Sequence, residues 1–158
     1  MIAFRLPALR FVRVGFVLAM IGLLATPLAV PSAQLKAPAV AGVTLGMTAR
    51  DVGTVLGMPD RQETSLGMHF WEYPARGITV IWREDAPGVN AIVVSKRGAG
   101  VVREVRVGDA TQQVFASWGT PVRVRNSGRF IDFVGRGWTL SAEIANGRAV
   151  EITLLAAR

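Results

Sequence analysis

Apolar and polar positions alternate in three different ways along this chain, and each way marks a different kind of segment. Val14 to Val30 is an uncharged run of 17 residues, preceded by Arg5, Arg10 and Arg13 and followed by Pro31-Ser32-Ala33-Gln34. A positive flank, an apolar run and a small-residue exit predict a secretory signal peptide over 1–33, with a short linker over 34–41. Cleavage positions offer themselves after Ser32, Ala33, Ala39 or Ala41. The rival reading is an uncleaved inner-membrane anchor. It needs about 20 apolar residues, roughly 17 at the low end, so this run only just reaches that length, and Pro27 near its C-terminal end weakens it further. Under both readings the arginines stay on the cytoplasmic side, which leaves the remainder periplasmic or secreted.

Beyond residue 41 the apolar spacing becomes helical and then alternating. Val52, Val55 and Leu56 share one helical face, Thr48 with Asp51 supplies an N-terminal cap, and Gly57 with Pro59 ends the helix. The same arrangement returns 62 residues later, where Gly108, Val114, Gly119 and Pro121 answer Gly46, Val52, Gly57 and Pro59. Asp109 and Gln112 are the expected cap of the second helix. Strands are predicted over 68–73, 78–84 and 89–96, then over 101–107, 129–134, 138–145 and 148–155. Asn146-Gly147 makes the last pair a tight hairpin. The fold class expected is α+β: two tandem α–β–β–β repeats, 42–98 and 99–158. Each is a short capped helix packed on antiparallel strands, and the two can join in one sheet.

Composition narrows the chemistry. The chain has no Cys and a single His69, which removes disulfides, thiolate metal sites, cysteine nucleophiles and most histidine-based catalysis. His69 reads as a strand residue, and no metal or other cofactor is expected. Glu72 and Asp132 occupy corresponding strand positions, but nothing in the spacing brings two carboxylates together for acid–base work. Basic and acidic residues balance at six each over 42–98, and stand at eight against five over 99–158. The excess arginines are spaced along strands rather than clustered, so a nucleic-acid partner is not expected. Met47, Met58 and Met68 read as gap-fillers in or near the core.

The aromatic residues support two readings. Large rings close a small core beneath each helix, and Trp118 and Trp138 are placed there. Phe70 and Trp71 are adjacent on one strand and so point to opposite faces, which leaves apolar surface beyond what one helix covers. Leu45-Gly46-Met47-Thr48, Val52, Leu56-Gly57-Met58-Pro59 and the strand Phe70-Trp71-Glu72-Tyr73 resemble the small outer-membrane assembly lipoproteins. Their relatives include the tandem β-lactamase inhibitor proteins. The resemblance implies a non-enzymatic envelope protein that binds another envelope protein through an aromatic sheet face. Trp71, Tyr73 and Trp82, with Phe130 or Phe133 from the second repeat, are the residues it nominates for that face. The alternative it implies is a membrane-anchored scaffold or accessory factor in outer-membrane protein assembly, touching the membrane only through an uncleaved N-terminal segment. The lipid-attachment Cys of those lipoproteins is missing here.

Overall fold

The computed structural model describes residues 37–157. The signal-peptide and anchor readings fall on 1–36 and lie outside the described residues. Among the described residues, no helix is long and apolar enough to cross a membrane.

Two helices and one sheet of eight antiparallel strands make an α+β fold. Helix α1 (Ala49–Leu56) precedes β1 (Arg61–Ser65), β2 (Met68–Tyr73), β3 (Ile78–Arg83) and β4 (Val89–Val94). Helix α2 (Thr111–Trp118) precedes β5 (Arg123–Arg125), β6 (Phe130–Gly135), β7 (Trp138–Ala145) and β8 (Arg148–Ala156). The strand order is β1-β2-β3-β4-β8-β7-β6-β5, so the second group runs back towards the first and β8 lies against β4.

Helix α1 starts where the sequence placed it. The Asp51 N–H donates to Thr48 Oγ1 (3.2 Å) and the Thr48 N–H donates back to Asp51 Oδ2 (3.2 Å), satisfying two amides that the first turn leaves open. Gly57, at φ 82°, stops the helix and donates its N–H to Gly53 O. Helix α2 begins differently from expectation. Its N-cap is Ala110, without a side-chain cap, because the Asp109 carboxylate accepts from the Arg106 N–H (2.8 Å) in the preceding turn.

The pairing register sorts every strand into two faces. Trp71, Tyr73, Ile78, Val80, Trp82, Ile92, Val94, Ile152, Leu154, Ala142, Leu140, Trp138, Ile131 and Phe133 fall on one side. All of these are buried except Trp71, which is half-buried, and they share one core with Val52 and Leu56 of α1 and Val114 and Trp118 of α2. The other side carries no helix. Gly135 faces the Trp138 indole so closely that a Cβ there would overlap the ring, so only glycine fits opposite this tryptophan.

Four expectations are corrected. Each helix is followed by four strands, not three: β1 and β5 read as loop because RQETS and RVR show no apolar alternation. Residues 101–107 form no strand. Arg103 and Glu104 take positive φ and fold Val102 back onto Val105. The stretch 37–41 is no free linker, since Val40 is fully buried and exchanges hydrogen bonds with Val43. Met58 stands outside the core at 77% exposure.

Trp138→Ala is expected to cost about 3–5 kcal/mol of unfolding free energy, the range for emptying a fully packed aromatic site. Gly135→Ala is expected to destabilise as well, by driving a methyl into the same indole. Urea denaturation midpoints check both; an unchanged midpoint for either would remove Trp138 from the core.

Candidate functional site

The five aromatic residues nominated from the sequence do not share a face. Tyr73, Trp82 and Phe133 are buried under the helices. Tyr73 Oη donates to Gly57 O (3.0 Å), pinning the end of α1 to β2, and burial holds its phenol pKa above the ordinary value. Trp71 meets Trp82 edge-on at 4.8 Å and is half-buried beside it. Phe133 takes the Trp118 ring edge-on at 5.2 Å. Phe130 alone of the five lies on the helix-free side, where its register partner is Glu143. The burial of Tyr73, Trp82 and Phe133 corrects the picture of one exposed aromatic surface: those rings close the core.

Trp71 and Trp82 also line a shallow groove of about 390 Å³ with Thr48, Ala49, His69 and Pro87. The Trp82 Nε1–H is buried without a hydrogen-bond partner among the described residues. His69 Nδ1 lies 2.9 Å from Thr64 Oγ1 on the neighbouring strand. No group of three His, Asp or Glu side chains that could hold a metal ion occurs among the described residues.

The helix-free face has an organisation that sequence reading missed, because it arises from the register between strands far apart in the chain. One row runs across the whole sheet: Arg61, Glu72, Thr79, Val93, Thr153, Ser141, Asp132, Arg123. A second row crosses Phe70, Ile81, Ala91 and Leu155, four apolar residues on four adjacent strands. Ala91 is buried by its neighbours, Phe70 and Ile81 are half-buried, and Leu155 is exposed. Met68, Ile81, Ala91 and Leu155 line a groove of about 360 Å³ at one end of that row.

The other half of the face holds the ion pairs of β5, β6 and β7. Asp132 is the buried charged residue of the described set, and Arg125 grips it with two hydrogen bonds of 2.9 Å, while Ser141 Oγ donates a third at 2.8 Å. These bonds, led by Arg125, hold the Asp132 carboxyl below its ordinary pKa despite burial. Arg129 pairs with Glu143 (2.7 Å), and both Arg125 and Arg129 lie over the Phe130 ring. Glu143 stands directly opposite Glu151. Burial first, and the Glu143 charge second, raise the Glu151 carboxyl above its ordinary value.

Three solved structures share this fold. An extracellular protein containing an SCP domain from Bacillus anthracis matches with a TM-score of 0.58 and 12% identity, over 71% of this chain and 44% of its own. A cysteine-rich secretory protein from Staphylococcus aureus matches with a TM-score of 0.58 and 10% identity, over 78% of this chain and 49% of its own. A DUF4309 family protein from Bacillus subtilis matches with a TM-score of 0.51 and 19% identity, over 73% of this chain and 83% of its own. At these identities the likeness is one of fold. This chain spans less than half the length of the first two. No family model and no curated protein matches it.

The two perturbed carboxyls have opposite consequences for acid stability. Asp132, with a lowered folded value, contributes stability above its ordinary 3.8 that is lost as pH falls through the folded value. Glu151, with a raised folded value, contributes stability below its ordinary 4.5 that is lost as pH rises through the folded value. Asp132→Asn is therefore expected to lower Tm at neutral pH, with the deficit shrinking in strong acid. Glu151→Gln is expected to raise Tm at neutral pH and leave it unchanged near pH 3. Calorimetric scans across that range read both signs.

Proposed function

We propose that this chain is an exported, non-enzymatic protein-binding module made of two copies of one helix-and-sheet unit, and that it receives another envelope protein on the helix-free sheet face. The observation that carries the reading is the apolar row Phe70–Ile81–Ala91–Leu155, which crosses four strands on the side of the sheet away from both helices. An antiparallel sheet with one wet face normally alternates polar outward residues; a contiguous apolar row on that face is the signature of an interaction surface.

The repeat is supported by correspondences that the backbone keeps 62 residues apart. The bridge Val40–Val43 is answered by Val102–Val105, and positive φ at Ala41 and Gly42 by positive φ at Arg103 and Glu104. Gly46 and Gly57 are answered by Gly108 and Gly119, all at positive φ. The long row on the helix-free face also reads nearly alike from either end: arginine, acid, hydroxyl, then Val93 and Thr153 at the seam. Phe70 and Phe130 take matching places, so the aromatic contribution to the face comes from this pair.

Export is supported by the N-terminal charge and apolar pattern and by the extracellular and secretory neighbours. A binding rather than catalytic role is supported by the most buried ionisable group of the face, Asp132, being held by Arg125, and by Glu143 being held by Arg129.

A photo-crosslinking residue at Ile81 is expected to capture a discrete envelope protein, and Phe70→Ser to abolish the capture without moving Tm. A crosslinker at Thr54, on the exposed side of α1, is expected to capture nothing. Capture from Thr54 but not from Ile81 would overturn the assignment of the face.

A further inference from the structure

The sheet ends in two edge strands, and they differ. β1 and β5 have no further neighbour among the described residues. At the β1 edge the helix-side positions are Asp60 and Gln62, and the helix position corresponding to Phe115 by the 62-residue offset is Gly53. At the β5 edge the positions 62 residues on are Val122, Val124 and Phe115. Val124 stands opposite Ile131 and so lies on the helix side, and Val122 continues that side by the alternation of extended chain. These two valines are 71% and 57% exposed, and Phe115, whose ring lies 6.4 Å from that of Phe133, is 39% exposed. The helix side of the edge is thus polar in one half of the molecule and apolar in the other. β5 is short and carries charge on one side, as protected edges do, but its helix side presents three apolar side chains to water.

The opposite side of β5 sets the charge of whatever lies there. Arg123 and Arg125 share it. Arg125 grips Asp132 directly, whereas Arg123 stands opposite Asp132 and adds a weaker attraction to it but is exposed and joins no direct ion pair among the described residues. A second copy of β5 laid antiparallel on this edge would set arginine against arginine, which is destabilising for directly facing like charges. A strand with acidic residues on that side and apolar residues on the other meets both faces.

We propose that the β5 edge receives an extended segment of a partner protein as an added strand, and that the segment alternates apolar residues, set against Val122, Val124 and Phe115, with acidic residues set against Arg123. Main-chain hydrogen bonds to the open edge supply affinity, and the two side-chain registers supply selectivity. This surface is separate from the helix-free face and does not rest on its assignment.

The probe is a fluorescent peptide of alternating valine and glutamate, titrated into the full chain and followed by anisotropy, with amide hydrogen exchange locating the contact. Binding is expected to saturate, to weaken with salt, and to protect the amides of β5. Val124→Ser and Arg123→Glu are each expected to weaken it about tenfold, the effect of roughly 1.4 kcal/mol. Arg123→Glu is also expected to shift preference towards a valine–lysine peptide. Phe70→Ser on the helix-free face and Gln62→Ser at the other edge are expected to leave the affinity unchanged, which separates this surface from the one proposed above. Equal binding of the glutamate and lysine peptides, or no saturable binding, would overturn the proposal. So would a concentration-dependent dimer abolished by Val124→Ser, because a second copy would then hold the edge.

Discussion

The ladder between β4 and β8 is the constraint on which the rest depends. Four register pairs, Ala91 with Leu155 through Val94 with Ile152, join strands whose partners lie about 60 residues apart in the chain. Without this seam each group of four strands would end in a bare edge rich in valine, isoleucine and leucine, the kind that aggregates. With it, Ile92, Val94, Ile152 and Leu154 become the fully buried centre of a core shared by both helices. The edges left over are β1 and β5, the two shortest and most polar strands of the sheet. The same ladder aligns the rows of the helix-free face, since neither the apolar row nor the arginine-to-arginine row exists until β4 and β8 are in register.

Local chemistry made much of the fold legible in the sequence. The Thr48–Asp51 cap, the glycine stops and the Asn146-Gly147 hairpin each rest on contacts within a few residues, and each is found in place, with Asn146 and Gly147 both at positive φ. β7 runs over the predicted 138–145 because its alternation is clean. What was missed depends on distant neighbours. β1 and β5 are strands because β2 and β6 offer them hydrogen bonds, not because of their own residues. Asp109 was nominated as a helix cap on spacing alone, and the tight turn at Arg106 takes its carboxylate instead.

The aromatic residues show the same boundary. Alternation established that Phe70 and Trp71 point opposite ways, but not which of them meets a helix. That choice follows from the pairing that puts Ile78, Val80 and Trp82 on the Trp71 side, and the Tyr73 hydroxyl, reaching the carbonyl at the end of α1, ties that side to the helix. Trp71, Tyr73 and Trp82 thereby become part of the support for α1, and the side occupied by Phe70 and Phe130 is left to water. On that side, polar groups survive partial burial by two routes. Asp132 keeps its charge through three donated hydrogen bonds, whereas Glu151 is pushed towards its neutral form by burial first and by the facing Glu143 carboxylate second.

The central position of β8 bears on when this molecule can fold. Its hydrogen bonds complete both halves of the sheet at once, yet it is the last in sequence of the eight described strands. Until β8 emerges, β4 has no mate and the shared core no middle. Contacts of such wide sequence separation form slowly. In a sheet closed this way, neither half reaches its full core before the last strand in sequence has taken its place between them.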